Sequence, residues 1–207
     1  MPLVYQQNIN AFTKLGVWHI NEPESFFLQR VPLQKNINHP HKRLQHLAGR
    51  LLLPELFGDF PLSLIQIADT RKPFLEDEAF HFSISHCSDY AAAIVSKKNR
   101  VGVDIEIPRQ KILGIGYKYL DDQELTMFKA IKADPVYLFT MAWSVKEALF
   151  KWFGSGNVDF KEHMHINECQ LRDNEFIAFC TFRKEQPVDL KVHGLFFNGN
   201  CLTWLVT

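Results

Sequence analysis

A chain of 207 residues is long enough for one large domain or two smaller ones, each able to bury its own core. Apolar residues make up 46% and charged residues 22%, as in ordinary soluble globular proteins, and 23 basic side chains balance 23 acidic ones. Zero formal net charge excludes nucleic-acid binding through overall basicity, so any anion site must be a local cluster. The 18 phenylalanines point to an aromatic core or groove. Cys87, Cys169, Cys180 and Cys201 form no CxxC pair and match no zinc or disulfide spacing, which reads as four idle thiols in a reducing compartment. Residues 1–10 lack a basic stretch followed by an apolar run, and no apolar run approaches the ~20 residues of a membrane span. The expectation is a cytoplasmic monomer with no membrane or nucleic-acid partner.

The first helix is expected over residues 42–53, where Leu44, Leu47, Ala48, Leu51 and Leu52 fall at helical spacing and Pro54 stops the run. Arg43, His46 and Arg50 share another stripe of it. A loop holding Asp69 to Pro73 follows, then strands at 80–85, 90–96 and 101–107, the last ended by Pro108. Residues 121–132 read as a helix. Asp134 as N-cap and Pro135 at the first position open another, which runs to about Phe153 and stops at Gly154. Strands are expected at 176–182, 188–197 and 201–206. This order reads as α+β with two similar halves, 1–99 and 100–207, joined near residue 100.

Three clusters carry possible chemistry. On a strand over 101–107, Gly102, Asp104 and Glu106 share one face, with the two carboxylates roughly 6–7 Å apart. Such a pair repels unless a cation or donor lies between, and Mg²⁺ takes such oxygens together with substrate phosphates; a solvated acidic face is the ordinary alternative. On the helix after Pro135, Trp143, Glu147 and Lys151 form one stripe. They make either a surface ion pair or a third metal-binding carboxylate beside an anion-binding lysine. In the run from His81 to His86, Ser85 and His86 lie at a strand end, where they can meet a phosphate or simply be structural. Arg43, Arg50 and Lys72 suit anion recognition, Arg through its planar fork and Lys as a point charge. His39, His41, His163 and His165 lack partners at metal-ligand spacing and read as exposed loop residues.

In order and spacing, Ser83-x-Ser85-His86, Gly102-Val103-Asp104-x-Glu106 and Trp143-Ser144-x-Lys146-Glu147-Ala148-x-x-Lys151 resemble the signature of the 4′-phosphopantetheinyl transferase superfamily. The likeness covers about residues 40–155, and the length resembles the large type, in which one chain forms a pseudo-dimer of two α/β halves with the active site in the cleft between them. The resemblance implies that Asp104, Glu106 and Glu147 hold Mg²⁺ and that Glu147 is also the general base. It implies that His86 and Lys151 meet the pyrophosphate of coenzyme A, with Ser85 beside them, and that Arg43, Lys72 and Arg50 grip the 3′-phosphate. Two positions depart from the pattern: Arg71, where the family often has glycine, and Cys87, where it commonly has serine.

The implied activity is Mg²⁺-dependent transfer of the phosphopantetheine arm of coenzyme A to a serine of an apo acyl or peptidyl carrier protein, releasing adenosine 3′,5′-bisphosphate. The chain has no GxxxxGK[ST] loop, which disfavours a P-loop enzyme. A metal-dependent phosphohydrolase using the same carboxylates, or an inactive coenzyme A-binding module, are the rival readings. The mixed apolar and basic stretch from Lys111 to Leu120 is a candidate carrier-docking surface; packing against its own half is the alternative.

Overall fold

The computed structural model describes residues 3–33 and 36–207; of the N-terminal stretch read for a signal, Met1 and Pro2 lie outside this range. It is a mixed α/β structure that divides into two compact units, with the division after Val103. No helix is long and apolar enough to cross a membrane among the described residues.

The first unit opens with β1 (Leu3–Asn10) and β2 (Thr13–His19), which pair antiparallel. The sequence reading missed both. Gln and Asn dilute the alternation in β1, and β2 is buried on both faces and so shows no period of two. After α1 (Glu24–Leu28) comes α2 (Pro40–Leu56), which begins earlier and ends later than periodicity suggested. His39 caps it by accepting from the Lys42 N–H, so the pair His39 and His41 belongs to a helix start rather than a loop. Pro54 sits inside the last turn, where it costs one backbone bond while Leu53 and Leu56 still bury fully. Short β3 (Gln66–Ile67) and β4 (Pro73–Phe74) form a hairpin, followed by β5 (His81–Cys87) and β6 (Tyr90–Ser96). The main sheet runs β1-β2-β6-β5, and Leu47, Ala48, Leu51 and Leu52 of α2 belong to the core with the sheet residues Trp18, Ala93 and Val95. At Gly49 the helix comes so close to β5 that an added Cβ would stand 2.7 Å from Ile84.

The unit boundary falls within β7 (Val101–Glu106). The second unit contains α3 (Asp122–Ala130), α4 (Pro135–Phe153), β8 (Met164–Arg172), β9 (Glu175–Phe182), β10 (Val188–Phe197) and β11 (Asn200–Val206). Its sheet runs β7-β11-β10-β9-β8. A reciprocal capping box of Asp121 and Glu124 starts α3. Asp134 caps α4 through the Val136 N–H at 2.8 Å, and Gly154 ends it at φ 75, a left-handed stop. The apolar stripe of α4, with Ala142, Val145 and Leu149 fully buried, packs in a core with Met164, Val192 and Leu205. Strand β8 was not anticipated, and it takes His165 out of the expected exposed loop, while His163 stays in the bend just before the strand, half-buried. Met164 between them is fully buried, and His165 meets Asp121 at 3.2 Å. None of the four cysteines is in a disulfide among the described residues.

Candidate active site

Strand β7 brings Asp104 and Glu106 to one face, and α4 brings Trp143, Glu147 and Lys151. Asp104 is only 2% exposed, which rules out a solvated acidic face. Its two oxygens are held separately: the Lys151 ammonium donates to Oδ1 at 2.6 Å, and the Ser144 hydroxyl donates to Oδ2 at 2.8 Å. Glu106 accepts from the Trp143 indole N–H at 3.1 Å. Glu147 has no hydrogen-bond partner among the described residues. Burial, and then the charge of Asp104, push Glu147 up to about 7; Lys151 opposes this and Glu106 adds to it. Burial and Asp104 also raise Glu106, against the Trp143 hydrogen bond and the charges of Lys151 and Lys111. Three carboxylates thus strain against one another around one lysine.

Among the described residues no three His, Cys, Asp or Glu side chains are grouped as a ready metal cage. Both Asp104 oxygens are engaged by Lys151 and Ser144, and Glu106 Oε1 by Trp143. The donor chemistry nevertheless suits a hard divalent cation: all oxygen, mutually repelling, with one member unpaired.

In the first unit the candidate anion-binding residues differ in their availability. Arg43 already directs its fork at Glu24, with two contacts of 2.8 Å, and a third N–H goes to the Ile37 carbonyl at 2.7 Å. Arg50 is 7% exposed, and no hydrogen bond or ion pair holds it among the described residues. Burial lowers its pKa, so a partner of opposite charge would be welcome there. Lys72 is half-buried and likewise unpaired; burial, with repulsion from Arg100, lowers it to about 8. Ser85 is buried and His86 exposed near the end of β5. Arg71 sits at φ 65, in the left-handed region that glycine enters at no steric cost.

Positions 100–201 match the family model of the 4′-phosphopantetheinyl transferase superfamily. Enterobactin synthase component D of Salmonella typhi is 31% identical over 173 residues, covering 80% of this chain and 72% of that protein. The chain belongs to the 4′-phosphopantetheinyl transferase superfamily. Two further members of the superfamily are similar: AcpT of Escherichia coli K12, named a 4′-phosphopantetheinyl transferase, at 29% over 154 residues (68% of this chain, 76% of that protein), and a putative 4′-phosphopantetheinyl transferase of Haemophilus influenzae at 30% over 138 residues (64% and 58%). The match to enterobactin synthase component D of Salmonella austin spans about half of that protein's length, 48%. The superfamily match contains Asp104, Glu106, Glu147 and Lys151 and leaves Arg43, Arg50, Lys72 and His86 outside it.

Some residues of the superfamily signature had no role from sequence. Lys146 is fully buried and donates to Glu124 Oε2 at 2.7 Å and to the Tyr119 and Phe160 carbonyls. A lysine on the apolar side of α4, with Ala142 four residues before it and Leu149 three after, was the available signal. Thr203, behind Ser144, carried no signal at all.

Proposed function

We propose that this protein transfers the 4′-phosphopantetheine arm of coenzyme A to a serine of an apo carrier protein. The observation that carries this is the pairing of buried Asp104 with Lys151 beside the unpaired Glu147. Asp104, Glu106 and Glu147 would hold Mg²⁺, which supplies neutralisation of the pyrophosphate oxygens. Lys151 exchanges the Asp104 carboxylate for a phosphate oxygen, and His86 contributes a further donor. Glu147 accepts the proton of the attacking serine hydroxyl. A bond forms between the serine oxygen and the β-phosphorus of coenzyme A. The bond from that phosphorus to the bridging oxygen breaks, and adenosine 3′,5′-bisphosphate leaves. Positioning and charge stabilisation supply the catalysis, as in phosphoryl transfer generally.

For the 3′-phosphate, the geometry supports Arg50 and Lys72 ahead of Arg43. Both are desolvated and unpaired among the described residues, whereas Arg43 must first leave Glu24. Arg50→Ala should therefore weaken coenzyme A more than 3′-dephospho-coenzyme A, by roughly ten- to hundred-fold for a lost charge-assisted contact of about 1.5–3 kcal/mol. Equal losses for both ligands, measured by calorimetry, would remove Arg50 from this role.

The reaction class is tested by adenosine 3′,5′-bisphosphate release from coenzyme A with Mg²⁺, with and without apo carrier protein. A transferase releases it only when carrier is present. Equal release without carrier would identify a phosphohydrolase.

A further inference from the structure

Beyond the ligands themselves, we propose that Thr203 is a positioning residue for Asp104, acting through Ser144; this rests on the reading of Asp104 as a metal ligand. Ser144 and Thr203 are fully buried. The Ser144 hydroxyl lies 2.8 Å from Asp104 Oδ2 and 2.9 Å from Thr203 Oγ1, and the Thr203 hydroxyl lies 2.9 Å from the Ser144 carbonyl.

Proton accounting gives the chain a direction. Each hydroxyl owns one proton. A carboxylate only accepts, so the Ser144 proton goes to Asp104. Thr203 must then be the donor, its single proton shared between the carbonyl and the hydroxyl oxygen of Ser144. That contact closes the Ser144 rotamer from behind and leaves its proton no acceptor but Asp104. Lys151 fixes the other carboxylate oxygen at 2.6 Å. The plane of the Asp104 carboxylate is therefore set by β11 as well as by α4. A satisfied buried threonine would need only the carbonyl; the second contact, to the hydroxyl that holds Asp104, is what assigns Thr203 to the site.

The test uses the full chain with Mn²⁺ as the probe, its binding read by electron paramagnetic resonance, alongside melting temperature. Thr203→Val keeps the shape, and the Ser144 carbonyl lies within α4 and keeps its helical partner. Mn²⁺ binding should weaken about tenfold, the lower end of what losing a supporting hydrogen bond costs a metal site. Thr203→Ser should restore it. Ser144→Ala should weaken Mn²⁺ at least as much, and Thr203→Val should add nothing in that background because the effect passes through Ser144. Wild-type Mn²⁺ binding by Thr203→Val, or additive losses in the double variant, would overturn the proposal. The Asp104→Ala variant separates the two levels. If it loses Mn²⁺ while Thr203→Val does not, only the role of Thr203 fails. If it binds like the wild type, the metal-ligand reading fails and the proposal with it.

Discussion

Lys72 is the side chain at which fold stability and the proposed affinity for coenzyme A should titrate together. Burial and Arg100 lower its pKa from 10.5 to about 8 in the folded protein. Between about pH 8 and 10.5 the unfolded chain binds the proton more tightly than the fold does, so stability rises with pH across that window. The wild type should therefore gain stability from pH 8 to 10 relative to Lys72→Met. At pH 7, Lys72→Met should melt a few degrees higher, since about 1 kcal/mol moves the midpoint by roughly 2–4 °C in a chain of this size. Affinity for coenzyme A should follow the opposite course, declining above pH 8 in the wild type and staying flat in the variant. A variant that melts lower, or an affinity that ignores pH, would mean that Lys72 is not a desolvated ammonium facing an anion. The type of this residue was legible in the sequence as a candidate anion contact. Its lack of an ion-pair partner was not, because pairing depends on loops that meet only in the fold. Arg43 shows the reverse: a residue type suited to phosphate is committed to Glu24, nineteen positions earlier in the chain.

At the scale of elements, α4 is the organising piece of the second unit. Asp134, Pro135 and Gly154 announced its ends, and the stripe of Trp143, Glu147 and Lys151 announced the face from which Lys151 and Trp143 reach Asp104 and Glu106. What periodicity could not convey is how the helix is locked in rotation. The Lys146 ammonium and the Glu124 carboxylate are 0% and 2% exposed and stand 2.7 Å apart, tying α4 to α3. Glu124 also accepts from the Ile166 N–H at 2.8 Å, which adds β8 to the same knot. Burial lowers the Lys146 pKa while Glu124 raises it, so the pair must be kept whole to be tolerated. Lys146→Met should cost about 3–5 kcal/mol, because the Glu124 charge stays behind unpaired. Adding Glu124→Gln should recover part of that loss. Denaturant titration measures both, and a loss below about 1 kcal/mol for the single variant would show that the pair contributes little. Strands β1, β2 and β8 escaped the sequence reading for a related reason: their partners, not their own alternation, make them strands.

At the scale of the whole molecule, net neutrality directs attention to local surfaces. On the stretch after β7, Ile112, Tyr119 and Leu120 turn inward, while Leu113 and Tyr117 are 39% and 62% exposed between Lys111 and Lys118. That mixture suits an acidic carrier with an apolar contact at its centre. Lys118→Glu should raise the KM for carrier protein and leave that for coenzyme A unchanged; an unchanged carrier KM at both low and moderate salt would place docking elsewhere. The account as a whole rests on group transfer at the carboxylates of β7 and α4. The most direct measurement is the intact mass of apo carrier proteins from the host after incubation with Mg²⁺, coenzyme A and either the wild type or Glu147→Gln. The account predicts that the wild type adds one phosphopantetheine arm to a serine and that the variant does so at least a hundredfold more slowly, the loss expected for a general base. Consumption of coenzyme A with no mass gained by any carrier, or a variant as fast as the wild type, would contradict it.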